Sequence, residues 1–189
     1  GTTNPLGDTN SFAYDAANNV TAYTDELNNT TTYAYDGKGN LTQTTAPAPL
    51  SFVQTWTYDG LNNLTSYTDA MNQTVLFRYT DPNHPTSVTE IEEPPDGQGN
   101  PAAITKLAYY DNACDASANG QLAAVTDANN VRTRFLYDSK GQSRGQETGK
   151  ATDAACPWGV FYSNFGDVVE YDEAGRVTRF CASGGRCAD

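Results

Sequence analysis

Basic side chains are scarce in this chain. Eleven Lys and Arg stand against 23 Asp and Glu in 189 residues, leaving a net charge of −12. A surface of that sign repels phosphate backbones and anionic lipid headgroups, which excludes nucleic acid and acidic membrane as partners bound by charge. No apolar run approaches the ~20 residues of a membrane-spanning helix, and helical periodicity is not sustained anywhere. The opening Gly1-Thr2-Thr3-Asn4 does not read as a signal peptide, so a leader is expected to have been removed or to lie outside this sequence. Histidine occurs once, at His84 between Asn83 and Pro85, with no Ser or Cys nucleophile nearby in sequence; a surface histidine in a turn is expected rather than a triad base. Gly37-Lys38-Gly39-Asn40 and Gly97-Gln98-Gly99-Asn100 lack the strand-to-helix context of a phosphate loop and read as turns. Adjacent Glu92 and Glu93 would point to opposite faces of a strand, so solvation explains them better than acid–base work. No catalytic residue, metal ligand or cofactor is predicted, and the chain is expected not to be an enzyme.

What the chain has in abundance is one recurring anchor. Tyr14-Asp15, Tyr35-Asp36, Tyr58-Asp59, Tyr79 with Asp81, Tyr110-Asp111, Tyr137-Asp138 and Tyr171-Asp172 repeat the same aromatic–acidic pair. Four residues after Tyr comes Asn18, Gly39, Asn62, Gly141 or Gly175, types that tolerate positive φ, and two further on stands Val20, Leu41, Leu64 or Val177. A second anchor, Thr24-Asp25, Thr68-Asp69 and Thr126-Asp127, precedes the next Tyr by eleven residues and has Asn28, Asn72 or Asn130 four beyond its Thr. One unit is thus two short strands and two tight turns, about 21 residues long, a period suited to stacked repeats. Alternation supports strands: Thr31, Tyr33 and Tyr35 share one face, as do Val75, Phe77 and Tyr79, while Thr30, Thr32 and Ala34 share the other. The aromatic face is expected to be buried. A unit of this size cannot bury its apolar face alone, so function is expected to belong to the surface that stacked units make.

Tyr58 to Asp69, with Tyr14 to Asp25, Tyr35 to Thr42 and Tyr171 to Thr178, resembles the YD repeat of the Rhs/YD-repeat family; Tyr171-Asp172-Glu173-Ala174-Gly175-Arg176-Val177-Thr178 comes close to the family's wording. The resemblance implies an all-β repeat array of antiparallel hairpins in a curled or spiralling sheet, of the kind that forms shells on secreted or surface proteins and, in toxin-type members, encloses a toxic C-terminal domain. The family's Asp-Pro-x-Gly-Leu self-cleavage signature is missing, since Asp81-Pro82-Asn83-His84 departs from it. Ser143 and Arg144 depart from the apolar-Thr pair.

The register runs through the centre of the chain, so residues 1–189 are expected to form a single array with irregular insertions near 91–103, 112–121 and 145–166. Pro94 to Pro101 reads as a long loop or linker, and Ala46-Pro47-Ala48-Pro49 as a loop inserted into one unit. Cys114, Cys156, Cys181 and Cys187 are even in number, lack paired C-x-x-C spacing and fall away from the repeat positions; two disulfides are favoured over zinc, with Cys181 to Cys187 and Cys114 to Cys156 the preferred pairing and the other two connectivities open. The Asp-rich turns at Asp25, Asp69 and Asp127 lack alternating calcium-ligand spacing and are expected to cap their own turns. Asn-x-Thr sequons at Asn19, Asn28, Asn29, Asn40, Asn63 and Asn72 arise from the repeat wording and carry little weight for glycosylation.

The function expected is that of a secreted, extracellular or cell-surface structural protein. It would assemble with further copies through open sheet edges near Phe12 to Tyr14 and Val177 to Phe180 into a fibre or surface structure. The alternatives are a piece of a shell that encloses a toxin or mediates cell contact, and a glycan-binding adhesin using Tyr109, Trp158, Phe161, Tyr162 and Phe165, which fall off the anchor register.

Overall fold

The computed structural model describes residues 1–2, 9–98, 100–110, 119–137, 143–150, 168–171, 177–182 and 186–188. Every regular element among them is a β-strand, and every strand pairs antiparallel with its sequence neighbour within each compact unit. The chain divides into two such units, Gly1–Phe77 and Arg78–Asp189. The first holds β1 (Ser11–Tyr14), β2 (Val20–Thr24), β3 (Thr30–Tyr35), β4 (Leu41–Thr45), β5 (Val53–Tyr58), β6 (Leu64–Thr68) and β7 (Thr74–Arg78, which ends one residue into the second unit). The second holds β8 (Glu90–Glu92), β9 (Ile104–Tyr109), β10 (Leu122–Thr126), β11 (Val131–Tyr137) and β12 (Ser143–Lys150), and a separate three-stranded sheet of β13 (Val168–Tyr171), β14 (Val177–Ala182) and β15 (Arg186–Ala188).

Both anchors make one and the same turn. The Asp N–H donates to the carbonyl four residues on and the Asp carbonyl accepts from the N–H three on, at Asp15, Asp25, Asp36, Asp59, Asp69 and Asp127 alike. Asn18, Asn28, Asn62, Asn72 and Asn130 sit there with φ between 60° and 67°, and Gly39 fills the same place at 87°. That left-handed geometry strains most residues and suits Asn and Gly, which is why the sequence repeats them.

The two hairpin types differ in register. Where Thr-Asp turns join the strands, pairing is regular, as in Thr24↔Thr30 and Thr68↔Thr74. Beside each Tyr-Asp turn the register shifts by one: Tyr14 faces Val20, Tyr35 faces Leu41 and Tyr58 faces Leu64, leaving Thr21, Thr42 and Thr65 as the extra residue of a β-bulge. Such a bulge sharpens the local twist. The same shift recurs at Tyr171 and Val177 with Thr178 extra, and at Tyr137 and Ser143 with Arg144 extra. Ser143-Arg144 therefore keeps the backbone grammar although its side chains depart from it.

Cross-strand pairing sorts the side chains of unit 1 by face. Phe12 opposes Tyr23, Tyr33 opposes Thr44 and Trp56 opposes Tyr67 on the aromatic face, whereas Ala22, Thr32 and Thr45 form one row of the other face and Gln43, Thr55, Thr68 and Thr74 another. Aromatic contacts hold the first face, with ring centroids 4.9 Å apart for Phe12 and Tyr23 and 5.5 Å for Trp56 and Tyr67. Hydroxyl pairs hold the second, at 2.9 Å for Thr24 and Thr30 and 2.8 Å for Thr68 and Thr74. No described residue of unit 1 is fully buried. The buried side chains among the described residues, Thr89, Tyr110, Ala123 and Ala124, all belong to unit 2. Among the described residues of unit 1 the aromatic face is thus half-buried rather than enclosed, with the rings of one sheet layer screening one another.

Several expectations change. Residues 145–150, expected to open an irregular stretch near 145–166, complete β12 in register with β11, and residues 151–166 lie outside the described residues. The stretch expected near 91–103 begins after Glu92, since β8 reaches that residue and pairs with β9 across the Pro-rich loop. Val177 to Phe180, expected to be an open edge, lies in β14 between β13 and β15: β13 pairs along one side of it, and on the other Phe180 pairs with Ala188 of β15. Most of the remaining expected insertion, 112–121, falls outside the described residues.

Candidate functional site

Two of the tyrosine anchors, Tyr35 and Tyr137, work as staples between successive hairpins. The Tyr35 hydroxyl on β3 donates to the Val20 carbonyl at the start of β2 (2.9 Å), and that of Tyr137 on β11 donates to Leu122 at the start of β10 (3.0 Å). In both cases the acceptor belongs to the apolar residue that follows the previous turn. Satisfying that carbonyl from a ring already lying on the sheet fixes where one hairpin sits on the last.

In the β9–β10 hairpin the anchor has slipped by one residue. Tyr109, not Tyr110, faces Leu122, with Ala123 as the bulge residue, and the Tyr109 hydroxyl donates to the Val88 carbonyl (2.9 Å). Tyr110 takes the backbone place of the turn aspartate: its N–H donates to Gln121 and its carbonyl accepts from Gly120, whose φ is 80°. Its side chain turns inward, 5% exposed, donates to the Phe135 carbonyl (2.9 Å) and meets Tyr137 edge-on at 5.7 Å. Tyr109 is therefore a structural staple and not the free aromatic expected for an adhesive patch. Burial raises the pKa of both Tyr109 and Tyr137, in keeping with hydroxyls that act as donors.

Of the other anchors, Tyr58 and Tyr79 are half-buried and Tyr14, on β1, is 58% exposed. Tyr171 ends β13. Cys181 and Cys187 are direct partners across β14 and β15. Cys114, Cys156, Trp158, Phe161, Tyr162 and Phe165 lie outside the described residues.

The aspartates cap their turns. One carboxylate oxygen of Asp36 accepts from the N–H groups of Lys38 and Asn40 while the other accepts from the Asn40 side-chain amide, all at 2.9 Å; Asp15, Asp25 and Asp59 repeat the clamp. Hydrogen bonding to the charged form lowers these pKa values, led by the Asn side chain at Asp15, Asp25 and Asp36 and by the Asn63 N–H at Asp59. Among the described residues no cluster of three or more His, Cys, Asp and Glu could hold a metal ion.

Two polar groups in unit 2 differ from expectation. His84 is not a free surface residue: its side chain is only 11% exposed, with Nδ1 2.8 Å from Asp81 Oδ2, Nε2 3.3 Å from Asn119 Oδ1, and the ring 5.9 Å from that of Tyr109. The contact ties the β7–β8 loop to the β9–β10 loop. Burial pushes the Asp81 pKa up, but the hydrogen bond and charge of His84 and the Asn83 N–H outweigh it and leave the carboxyl below its ordinary value. Glu92 is likewise not simply solvated. It pairs with Arg78, which also reaches Glu90 at 3.4 Å, and Lys106 approaches Glu90 from β9 at 3.8 Å. Glu90, Lys106, Thr126 and Arg132 form one row across β8 to β11 and line an open cavity of about 410 Å³. Asp81 and Glu90 stand against Lys106 and Arg132 in its lining.

Residues 14–48 and 117–155 match the RHS repeat family model, so the chain carries RHS repeats. No curated protein matches it significantly. Among solved structures it resembles the crystal structure of TcdB2-TccC3-TEV, with a TM-score of 0.65 at 14% identity over 95% of this chain and 9% of that one. It superposes more loosely on the Photorhabdus luminescens Tc holotoxin pore, with a TM-score of 0.49 at 13% identity over 93% of this chain and 11% of that one. The first likeness establishes the fold. The chain spans about a tenth of either relative's length.

Proposed function

We propose that this protein is a non-enzymatic, extracellular structural element: a length of RHS-repeat wall that encloses or bounds something, with no reaction of its own. The observation that carries this reading is the single-layered sheet of unit 1, in which seven successive strands bury no described side chain completely. A sheet this thin makes a poor pocket and a serviceable partition. Repeated staples from Tyr35, Tyr109 and Tyr137 to the preceding hairpin suit an element that must be long and stiff. The acidic, Thr- and Asn-rich composition accords with secretion or display at a cell surface. As a wall segment it would enclose a polypeptide cargo, as in toxin-type shells, or present a surface for cell contact. Electron microscopy of the native protein tests this: hollow particles or sheets with walls one strand-layer thick are expected, and a solid globule would overturn it.

A second reading is favoured by β1, all four of whose residues are exposed, including Phe12 and Tyr14. β1 ends the order of the described strands, and an edge strand of this kind invites backbone pairing with another copy. Solution mass that rises with concentration, and falls when Phe12 and Tyr14 are both replaced by Lys, would support such assembly; a strictly monomeric protein at high concentration would rule it out.

A further inference from the structure

Because strands alternate in direction, the turns of unit 1 line two margins. The Tyr-Asp turns at 15–19, 36–40 and 59–63 lie along one; the Thr-Asp turns at 25–29 and 69–73, with the 46–52 loop between them, lie along the other. The first margin is polar and laterally tied: Lys38 Nζ donates to the Gly60 carbonyl at 2.7 Å and the Asn40 amide to Asn62 Oδ1 at 3.1 Å. It carries a single large exposed apolar side chain, Leu61.

The second margin is built differently. Leu27 and Met71 stand at the same turn position, 81% and 78% exposed, and between them the loop presents Leu50 at 66% and Phe52 at 50%. Leu27 and Met71 contribute nothing to their own turns beyond a backbone N–H given to Asp25 and Asp69. Residues 24–30, 45–53 and 68–74 contain Asp25, Glu26 and Asp69 and no basic residue. A row of large apolar side chains held out to solvent along one margin, and nearly missing from the other, marks an interaction surface.

We propose that this margin is a docking site for an amphipathic helix with basic residues flanking its apolar stripe. The argument is one of spacing and charge. Successive turns on one margin are two strands apart, about 9.6 Å at 4.8 Å per strand, so the three apolar points fall at intervals of about 10 Å. A helix rises 1.5 Å per residue, which places residues i, i+7 and i+14 on one face at about 10.5 Å intervals. An extended strand presents a side chain on one face every ~6.7 Å or ~13 Å and misses the spacing. The acidic groups beside the two outer apolar points, Asp25 and Glu26 at Leu27 and Asp69 at Met71, select Lys or Arg on the helix flanks, and they set a second copy of the same margin, or an anionic membrane, in repulsion. The site goes beyond the wall function proposed above and does not depend on it.

The test uses the full chain and a fluorescent 18-residue peptide of Leu, Ala, Gln and Lys, with Leu at heptad spacing and Lys beside it. Controls are a peptide of the same composition with Leu at every second position and one with Glu in place of Lys. Binding of the first peptide alone is expected, weakening as salt rises. Leu27→Ser and Met71→Ser are each expected to weaken it about tenfold, and Leu61→Ser on the other margin to leave it unchanged. Both substituted side chains are solvent-exposed turn residues, and circular dichroism confirms that the variants fold. Failure of the heptad peptide to bind, equal binding of all three peptides, or equal weakening by Leu61→Ser would overturn the proposal. So would dimerisation of the chain, or binding to vesicles of phosphatidylserine, that Leu27→Ser abolishes.

Discussion

Replacing Tyr110 by Ala should cost far more than the same change at Tyr14, although the two residues carry the same sequence signature. Tyr110 is 5% exposed, donates to Phe135 at 2.9 Å and packs edge-on against Tyr137 at 5.7 Å. Truncating a buried aromatic costs about 3–5 kcal/mol. Of this, about 1 kcal/mol belongs to the hydroxyl, and Tyr110→Phe isolates that part while leaving the ring in place. Tyr14, 58% exposed on β1, should lose under about 1 kcal/mol on truncation. Urea denaturation followed by far-UV circular dichroism reads the difference. With a slope of about 2 kcal/mol per molar urea, Tyr110→Ala should lower the midpoint of the affected transition by about 1.5–2.5 M, and Tyr14→Ala by a few tenths. Because the chain forms two units, hydrogen exchange resolved to peptides from 1–77 and 78–189 assigns each loss to its own unit. Equal costs at the two tyrosines, or a Tyr110→Ala loss below about 1 kcal/mol, would refute the view that strand position and not the motif sets the energetics.

Acid should loosen the hairpins. Asp15, Asp25, Asp36 and Asp59 have folded-state pKa values below the ordinary 3.8, so between the two values the unfolded chain binds more protons; their contribution is complete above that ordinary value and is lost as pH falls through the depressed ones. A pH series of urea midpoints from 6 to 2 should show this fall, and Asp36→Asn should flatten part of it. Asn62, at φ 67°, should accept Gly with little change and lose about 1–2 kcal/mol to Val in the same denaturation assay. Non-reducing peptide mass spectrometry of the native protein should find Cys181 joined to Cys187, the direct partners across β14 and β15; free thiols at both positions would count against it. Tyr109→Phe should cost about 0.5–1.5 kcal/mol through loss of the bond to Val88, whereas a purely surface tyrosine would show no change.

Local spacing was enough to specify the turns. An Asp followed three residues on by Asn or Gly has its own carboxylate, backbone N–H groups and a left-handed residue within five positions, enough to close the turn locally. Alternation of Thr with Tyr, Trp and Phe was enough to separate an aromatic face from a hydroxyl face, since side-chain direction in a strand follows from sequence parity alone. Pairing across strands decided the rest. That the Thr of the apolar-Thr pair is a bulge residue appears only when Tyr35 is set against Leu41 and Ala34 against Gln43. The slip that makes Tyr109 the staple and sends Tyr110 inward depends on where β10 falls against β9, and so does the drawing of His84 toward Asn119. Glu92 looked solvated because Arg78, fourteen residues away, becomes its neighbour only when the loop between them folds back. Turn chemistry acts within five residues and is written in order along the chain; staples, ion pairs and burial join residues 12 to 35 apart, and only the stacking of one hairpin on the next brings them within reach.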